Sequence, residues 1–365
     1  MPEKILIITS EFPPQPGGIG NHAHNLALNL AKNDYLVSVI ADEREADSEE
    51  QAFDAQLNFR VIRIKLKSLR FRMYINRIVV ALREIKTAEI VMASGKFPLW
   101  LVAFSSYFYN RHYVAIIHGS EVNFRNPILK ASINFALIRF GKVIAVSNFT
   151  KSLISKLELK SVVVIPNGFD ASDWKAPDQI SELKGQPRLI TVGNVTTRKG
   201  QLNVIQHLPY LLNDYPNIHY HCVGLPTEKE KFEAIARKLN VAEHVTFHGR
   251  VKHQDLQQFL KASDIFVMLS SKTSSGDVEG FGIAILEANY LGIPAIGSIG
   301  CGIEDAIDDG GTGVLVDPLN AHQFKSAIET ILKQMPTYSR NARDWAEKHT
   351  WDKVIFRYIK ELETL

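Results

Sequence analysis

Short runs of apolar, mostly β-branched residues alternate with amphipathic helical segments along the whole chain, and this alternation constrains the fold more than any other feature. Most of the runs are continuous in Val, Ile and Leu, as expected of parallel strands that are covered on both faces. Strands that alternate with helices predict an α/β fold with parallel sheets. We predict strands at residues 5–9, 36–41, 60–66, 89–93, 113–118, 143–147, 162–166, 188–192, 218–223, 245–249, 265–269, 294–297 and 313–317, and helices at residues 21–32, 227–239 and 253–262 among others.

The length of 365 residues exceeds what one core usually holds, so two domains are expected. The polar stretch at residues 171–187, which contains Pro177, Gly185 and Pro187, is the best candidate for a linker. We therefore predict two doubly wound, Rossmann-like domains of similar size that face each other across a cleft, with the boundary at 170/171.

The overall composition is that of a soluble globular protein, with 45% apolar and 22% charged residues. No apolar run reaches the roughly 18 residues of a membrane-spanning helix, and the first residues lead directly into a strand rather than a signal peptide. Cys222 and Cys301, the only cysteines, indicate neither a disulfide framework nor a metal site. These features favour a cytoplasmic setting.

Positive charge is concentrated in the first half of the chain, above all between Arg60 and Lys86. This segment carries nine Lys or Arg residues and a single acidic residue, Glu84, with Phe71 and Tyr74 among the residues between them. Such a basic, amphipathic surface attracts anionic lipid headgroups or polyphosphate, so an anionic membrane surface is a candidate partner. The alternative is a solvated basic face without a partner. No nucleic-acid recognition module is present, and nucleic acid is not expected as a partner.

Two carboxylates stand eight positions apart, at Glu279 and Glu287, on either side of the turn Gly280-Phe281-Gly282. The first follows the predicted strand at 265–269, and the second lies in the helical pattern that starts at Ile283. In open α/β sheets, ligands bind beyond the carboxyl ends of the strands, where helix N-termini present free N–H groups. The spacing therefore predicts one crevice suited to a polyhydroxylated, phosphorylated ligand. Two solvated surface glutamates are the alternative.

Residues 193–200 follow another predicted strand and precede a helix, and they include the adjacent cations Arg198 and Lys199. An Arg that binds two oxygens at once and a Lys that acts as a point charge can converge on a diphosphate. The segment lacks the Gly-x-x-x-x-Gly-Lys-Ser/Thr pattern of a phosphate-binding P-loop. A solvated basic pair is the alternative.

Glycines follow the first predicted strand as well, in Gly17-Gly18-Ile19-Gly20, where they allow a ligand to approach the backbone at the start of a helix. Residues 18–23 also fit the Gly-x-Gly-x-x-Ala dinucleotide fingerprint, with Asp42 as a candidate ribose-binding acid. Three prolines in the loop at 10–16 do not fit the tight turn of that fingerprint. His118 stands at the end of another strand, either as a polar contact or proton carrier or as a structural histidine.

Taken together, these residues resemble the GT4-type retaining glycosyltransferases, the group 1 family with a GT-B fold, over nearly all of the chain. The motifs that carry the resemblance are, in order, Pro16-Gly17-Gly18-Ile19-Gly20, His118-Gly119, Val146-Ser147 and residues 165–170, 193–200, 279–294 and 310–316. Their order and spacing are specific, although each motif alone is not. The resemblance implies that residues 1–170 bind the acceptor, that residues 171–348 bind a nucleotide-sugar donor, and that a C-terminal helix at 349–365 crosses back onto the first domain.

The resemblance also implies a role for each matching residue. Glu287 would accept hydrogen bonds from the ribose hydroxyls, and Glu279 would accept them from the donor sugar. Arg198 and Lys199 would neutralise the diphosphate, which is the largest catalytic contribution expected. His118 would lie near O6 of the sugar. The remaining donor contacts would come from Gly17, Gly18, Gly193, Gly280, Phe281, Gly282 and Ile283.

The sequence contains no Asp-x-Asp pair, and divalent ions on a diphosphate usually need paired carboxylates. Since Arg198 and Lys199 can supply positive charge instead, we expect a metal-independent enzyme that uses no cofactor beside its nucleotide sugar. Retention by double displacement would need a carboxylate nucleophile, and no residue is identified as one. As an implication of the resemblance, we prefer a front-face path in which the leaving phosphate helps to deprotonate the acceptor hydroxyl.

The sequence thus predicts retaining transfer of a hexose-type sugar from a UDP or GDP sugar to an acceptor hydroxyl. The basic segment suggests a lipid-linked acceptor of polysaccharide or glycolipid assembly, at the inner face of the cell membrane. Two alternatives stay open: a nucleotide-sugar epimerase or hydrolase of the same shape, and a nicotinamide-dependent oxidoreductase. Two departures from the family are the longer, more polar loop at 270–277 and Gly300-Cys301-Gly302, which replaces a Gly-Gly pair.

Overall fold

The structure is a computed structural model that describes residues 3–15, 17–43, 48–65, 70–174, 177, 179–273 and 276–365. The chain divides into unit 1, Met1–Gly168 with Trp351–Leu365, and unit 2, Phe169–Thr350. The predicted boundaries, at 170/171 and 348/349, lie two residues away. Several residues of predicted segments lie outside the described residues: Pro16 of the glycine motif, 66–69 of the basic segment, 175, 176 and 178 of the linker, and 274–275 of the polar loop.

Unit 1 is built on a sheet of seven parallel strands: β1 (Lys4–Thr9), β2 (Leu36–Glu43), β3 (Arg60–Lys65), β4 (Ile90–Ser94), β5 (His112–Ile117), β6 (Lys142–Ala145) and β7 (Val162–Val164). Their order across the sheet is β3-β2-β1-β4-β5-β6-β7. The order turns back between β1 and β4, which is the switch point at which doubly wound sheets bind ligands beyond the carboxyl ends of their strands.

Helices connect the strands of unit 1: α1 (Gly18–Lys32), α2 (Ser48–Asp54), α3 (Arg70–Ile85), α4 (Lys96–Ser105), α5 (Pro127–Leu137) and α6 (Asn148–Ser152). Leu6 and Ile8 of β1 share one hydrophobic core with buried residues of α3, α4 and α5, so these three helices form a layer on one face of the sheet. The start of α5 is set by Asn126, whose side chain accepts hydrogen bonds from the N–H groups of Ile128 and Leu129.

Unit 2 contains a sheet of six parallel strands: β8 (Arg188–Val192), β9 (His219–Val223), β10 (Val245–Gly249), β11 (Ile265–Met268), β12 (Ala295–Ser298) and β13 (Gly313–Val316). The order is β10-β9-β8-β11-β12-β13, so the switch point lies between β8 and β11. The helices are α7 (Gln201–Leu211), α8 (Lys229–Lys238), α9 (His253–Ala262), α10 (Ile283–Tyr290), α11 (Ala321–Lys333) and α12 (Met335–Glu347).

The last helix, α13 (Trp351–Leu362), belongs to unit 1. Its buried residues recur at intervals of three or four positions and form one apolar stripe, as in any helix that packs on a core through one face. Polar contacts tie it down: Tyr358 Oη lies 2.9 Å from His22 Nε2 of α1, and Lys142 Nζ of β6 donates to the carbonyl oxygen of Glu361 at 2.6 Å and to its Oε2 at 2.7 Å.

The prediction of two doubly wound parallel sheets is confirmed. All thirteen predicted strands occur among the described residues, with ends that differ by at most two positions. The strand predicted at 162–166 ends at Val164, and Pro166 has no N–H to donate to a ladder. His118 lies just beyond β5 rather than within it.

Candidate active site

Arg198 and Lys199 lie in a short turn of 3-10 helix, Thr197–Lys199, between the carboxyl end of β8 and the start of α7. The N–H of Thr197 donates to Glu228 Oε2 at 2.6 Å and fixes one side of the turn. Gly200 ends it in a left-handed conformation (φ 83°), where an added Cβ would lie 2.0 Å from the carbonyl oxygen of Leu269, just after β11. Only glycine fits there, so both cations are held at the switch point between β8 and β11.

Glu279 binds both cations through one oxygen. Its Oε2 lies 2.5 Å from Arg198 Nη1 and 2.9 Å from Lys199 Nζ, while its side chain is 11% exposed. Arg198 Nε also lies 3.4 Å from Asp277 Oδ2. Burial would raise the pKa of the Glu279 carboxyl, but Lys199 and Arg198 outweigh burial and hold that pKa below its ordinary value. Glu279 is therefore a carboxylate at neutral pH, shared by two cations.

The turn that follows Glu279 leads into α10. Phe281 is buried and anchors the turn in the core of unit 2. Gly282 is left-handed (φ 94°) at the N-cap position, and α10 begins at Ile283. This geometry presents the positive end of α10 beside the Glu279 loop, as the sequence predicted from the Gly-Phe-Gly pattern.

The segment Gly300-Cys301-Gly302, which follows β12, supports the loop that contains Glu279. Gly302 donates its N–H to the carbonyl oxygen of Glu279 at 2.9 Å, and a Cβ on Gly302 would lie 1.9 Å from the carbonyl oxygen of Gly280. The second glycine is therefore required by close backbone packing. Cys301 is buried, with its thiol directed to the carbonyl oxygen of Ser298, so it fills the core beneath the loop.

Glu287 lies one helical turn after Ile283 and is half-buried. Burial raises the pKa of its carboxyl to about 7, with Lys199 acting to lower the pKa and Asp173 acting to raise it. Lys199 thus acts on both glutamates of the pair. Gly193 lies beside the same lysine, since a Cβ there would be 3.2 Å from Lys199 Cε.

In unit 1, His118 lies between the ends of β4 and β5. Its Nε2 is 3.0 Å from Ser94 Oγ, its backbone N–H donates to Glu121 Oε2 at 3.1 Å, and its ring meets that of His22 edge-on at 4.9 Å between centroids. Burial lowers the pKa of His118 to about 4, so the imidazole is neutral at neutral pH. A neutral imidazole can exchange hydrogen bonds with a hydroxyl without adding charge.

Gly17 and Gly18 stand at the start of α1, beyond the carboxyl end of β1. The first backbone hydrogen bond of this helix runs from Asn21 N–H to Gly17 O at 2.9 Å, so the N–H groups of residues 18–20 precede the helical ladder. A Cβ on Gly18 would meet no atom within 4 Å, whereas one on Gly20 would lie 3.1 Å from the backbone of Glu11. Gly18 therefore has open space in front of it.

Two sequence-based interpretations need correction: Asp42 as a ribose-binding acid, and the cations between Arg60 and Lys86 as one displayed basic surface. Asp42, the candidate ribose-binding acid of a dinucleotide site, is bound by Arg77 in a largely buried ion pair. Arg63 lies 2.8 Å from Asp54 and 3.7 Å from Glu50, again with little exposure. Two of the nine cations between Arg60 and Lys86 thus face acidic residues that lie outside that segment, and they do not form part of a displayed basic surface.

The predicted site residues fall into one group in each unit. The group in unit 2, at the carboxyl ends of its strands, comprises Gly193, Arg198, Lys199, Glu279, Gly280, Phe281, Gly282, Ile283 and Glu287. The group in unit 1, likewise beyond strand ends, comprises Gly17, Gly18 and His118. The sequence missed Asp277, Asp173, His22 and Ser94, because only the chain path brings them to these groups. Glu121 stands three residues after His118 in the segment His118-Gly119-Ser120-Glu121. This short spacing is the signal that could have predicted its contact with the His118 backbone.

Among the residues that the structure describes, no group of three or more His, Cys, Asp or Glu side chains is placed to hold a metal ion. Metal independence stays a prediction. Within the same described part of the chain, no helix is both long enough and apolar enough to cross a membrane.

Curated relatives of similar length exist. A GDP-mannose-dependent alpha-(1-6)-phosphatidylinositol monomannoside mannosyltransferase of Mycolicibacterium smegmatis is 28% identical over 345 residues, which cover 90% of this chain and 89% of the relative. A glycogen synthase of Mycobacterium tuberculosis is 24% identical over 386 residues, which cover 96% and 91%.

Solved structures share the fold. A sucrose-phosphate synthase from Thermosynechococcus elongatus superposes with a TM-score of 0.80 at 18% identity and covers 99% of this chain and 98% of its own. Anabaena HepE in complex with UDP and glucose gives a TM-score of 0.80 at 21% identity and covers 100% of both chains. The fold is thus GT-B.

Two family models match adjoining parts of the sequence. Glycosyltransferase Family 4 matches residues 16–173, and Glycosyl transferases group 1 matches residues 172–349. Together they span the predicted motifs from the glycine segment of unit 1 to the last strand of unit 2. The chain belongs to the group 1, family 4 glycosyltransferases, and it is a glycosyltransferase.

Proposed function

We propose that this enzyme transfers a hexose-type sugar from a UDP or GDP sugar to the hydroxyl of a lipid-linked glycan or glycolipid, with retention of anomeric configuration. The observation that carries the proposal is the meeting of Arg198 and Lys199 on Glu279 at the switch point of unit 2. Solvated surface cations would extend separately into water. Here the backbone of Gly200 and the carboxylate of Glu279 hold both cations in one place.

The charges of this cluster suit a diphosphate. Arg198 and Lys199 share one buried carboxylate, and Asp277, at 3.4 Å from Arg198, is 45% exposed. The three closest groups therefore keep one net positive charge, which a nucleoside diphosphate would meet. Arg198 and Lys199 bind the diphosphate in the proposed complex, Glu279 accepts from hydroxyls of the sugar, and Glu287 accepts from the ribose.

The same arrangement supports a path for the reaction. As the bond between the sugar and the phosphate breaks, negative charge grows on the leaving diphosphate, and cations that are already in place stabilise it. Glu279 is neutralised by two cations and is a poor nucleophile, which supports the front-face path rather than double displacement. In that path the acceptor oxygen bonds to the anomeric carbon on the face that the phosphate leaves, and the hydroxyl proton passes to a phosphate oxygen. Positive charge from Arg198 and Lys199 serves in place of a metal ion.

The acceptor and the setting are proposed from the relatives and from the thiols. The mannosyltransferase of Mycolicibacterium smegmatis is named for a phosphatidylinositol monomannoside acceptor, which supports a lipid-linked acceptor here. Cys222 and Cys301 are free and buried, which fits a reducing compartment. We therefore place the enzyme in the cytoplasm, peripherally at the inner face of the cell membrane, with unit 1 binding the acceptor and with His118 near the sugar.

Donor binding tests the proposal. A thermal-shift series with nucleoside diphosphates and nucleotide sugars identifies the base and the sugar, because ligands that bind the native state raise its stability. Arg198→Ala and Glu287→Ala should each lower kcat/KM for the donor. The expected loss corresponds to about 1.5 to 3 kcal/mol, the value of one hydrogen bond to a charged group. Arg237→Ala, an exposed arginine of α8, is the matched control.

Near-normal turnover in both site variants would contradict the assignment of these residues. Product analysis separates the alternatives. Release of free sugar, or epimerisation of the donor, at the same rate with and without acceptor lipid would identify a hydrolase or an epimerase instead of a transferase.

A further inference from the structure

Unit 1 displays an apolar surface outside its core, on the layer formed by α3, α4 and α5. We call it the outer helical face and define it by Phe71, Ile75, Val79, Phe104, Phe108 and Phe135, which are 44% to 72% exposed. Exposed apolar residues are ordinary when they are scattered singly, but grouped ones mark an interaction surface.

The outward-facing apolar residues of helix α3 form a stripe. Met73, Ala81 and Ile85 are buried and point to the core of unit 1. Phe71, Ile75 and Val79 recur every four residues and begin two positions earlier, which places them about 200° around the helix from the buried set. Helix α3 therefore has a second apolar face, and that face is directed away from the sheet.

Side-chain contacts connect the three helices across this surface. The ring of Tyr74 on α3 lies 5.0 Å from that of Phe97 on α4. The Arg139 guanidinium, after α5, lies 4.0 Å from the centroid of Tyr107, after α4, and 5.7 Å from that of Phe135. Ring contacts thus link α3 to the start of α4, and the segment after α4 to the end of α5, and a cation is stacked within this face.

The charges around this surface are mostly positive. Residues 96–157 contain eight Lys or Arg residues and one acidic residue, Glu121, which is fully buried. Arg72, Arg83, Lys130 and Arg139 are exposed on α3 and on or just after α5. A second copy of the chain would bring like charges together across such a face, whereas an anionic bilayer complements both the cations and the aromatic rings.

We propose that the outer helical face binds an anionic lipid bilayer, with its aromatic side chains at the boundary between headgroups and acyl chains and with the four exposed cations at lipid phosphates. The contact overlaps the segment between Arg60 and Lys86 only through α3 and extends it to α4 and α5. Arg63 and Arg77 of that segment are bound to acidic residues and are not part of the contact. The inference deepens the proposed function, on which it rests for the lipid-linked acceptor.

Vesicle flotation tests the face directly. The protein is mixed with vesicles of phosphatidylcholine alone or with equal parts of phosphatidylcholine and phosphatidylglycerol. We expect binding to the anionic vesicles that weakens with salt, and a loss of about tenfold or more in the double variant F108S/F135S. Arg72→Gln and Lys130→Gln should each lose roughly fivefold, the effect of one cation near an anionic surface. Phe356→Ser on α13, where the phenylalanine is 60% exposed, is the matched control and should bind like wild type.

Unchanged vesicle binding by the double variant, or equal binding of the wild type to neutral vesicles, would overturn the proposal. Light scattering adds a further test: a dimer that is lost in the double variant, without any vesicle binding, would assign the face to a second copy. Thermal unfolding checks that the variants are folded. The double variant should still transfer sugar to a water-soluble acceptor, so absent transfer together with intact vesicle binding would count against the proposed function and not against this surface.

Discussion

Replacing Glu279 by glutamine should separate nucleotide binding from sugar transfer. Glu279 Oε2 is the shared partner of Arg198 Nη1 and Lys199 Nζ. The donor diphosphate is proposed to bind the same two cations, so its negative charge approaches the Glu279 carboxylate. Glutamine keeps the size of the side chain and one acceptor oxygen but removes the charge.

The size of the effect follows from the geometry. A phosphate oxygen that accepts from Lys199 would lie about 3 Å from Nζ and roughly 5 Å from Glu279 Oε2. Two like unit charges at that distance repel by about 1 kcal/mol in water and about 3 kcal/mol at a protein surface. The Arg198 side chain is 29% exposed, so solvent screening favours the lower figure. We expect nucleoside diphosphates to bind Glu279→Gln about fivefold more tightly than the wild type.

Transfer should change in the opposite direction. The neutral amide is a weaker acceptor for the sugar hydroxyls, and we expect turnover to fall by about 10² or more. Without ligand, Arg198 and Lys199 lose their shared carboxylate, so the free energy of unfolding should drop by about 1 to 3 kcal/mol. Calorimetric titration with UDP and GDP, initial rates and thermal unfolding measure the three effects.

The control is Glu233→Gln on α8, where the carboxylate pairs with Lys229 at 3.5 Å and is 36% exposed. It should leave affinity and turnover unchanged. A tenfold or larger loss of nucleoside diphosphate affinity in Glu279→Gln would refute this expectation, because it would show that positioning of the two cations by the carboxylate outweighs its repulsion of the ligand.

Two further predictions concern pH and backbone packing. Because the Glu287 pKa is raised to about 7, affinity for a nucleotide sugar should rise about tenfold between pH 6 and pH 8, and Glu287→Gln should flatten this profile. Ligand-free stability should change in the opposite sense, since a raised carboxyl pKa contributes stability at low pH that is lost as pH rises through 7. Gly200→Ala should destabilise by about 2 to 5 kcal/mol in denaturant unfolding, because its Cβ would lie 2.0 Å from the Leu269 carbonyl oxygen; Gly249→Ala, left-handed with no atom within 4 Å, should cost less.

The strands could be predicted because parallel strands buried on both faces leave a simple signal, a continuous apolar run. Ile90 to Ser94 of β4 are all buried, and the same holds for Ala295 to Ser298 of β12. The ends were harder, because they depend on where the neighbouring strand stops pairing. β7 pairs with β6 only from Val162 to Val164, and the composition of residues 162–166 does not show that limit.

The site was predictable to the extent that its residues follow strand ends. Arg198, Lys199, Glu279 and Glu287 could be placed in this way, since carboxyl ends of parallel strands share one edge of a sheet. Their partners could not be assigned, because Arg198 and Glu279 are 81 positions apart and a sequence carries no distance between them. The same limit hid the partners of Arg63 and Arg77, which made the segment from Arg60 to Lys86 look more basic than its surface is.

Two carboxylates with pKa values shifted in opposite directions are the usual signature of an acid and a base, and the sign of the pH dependence decides whether that interpretation holds here. If Glu287 gave a proton to the leaving group, the active form would be the protonated one, and donor use would fall as pH rises through 7. If Glu287 accepts from ribose hydroxyls, the ionised form binds, and donor use rises over the same range. The structure favours the second outcome, because Glu279 is neutralised by Arg198 and Lys199 and offers no free base to complete a pair.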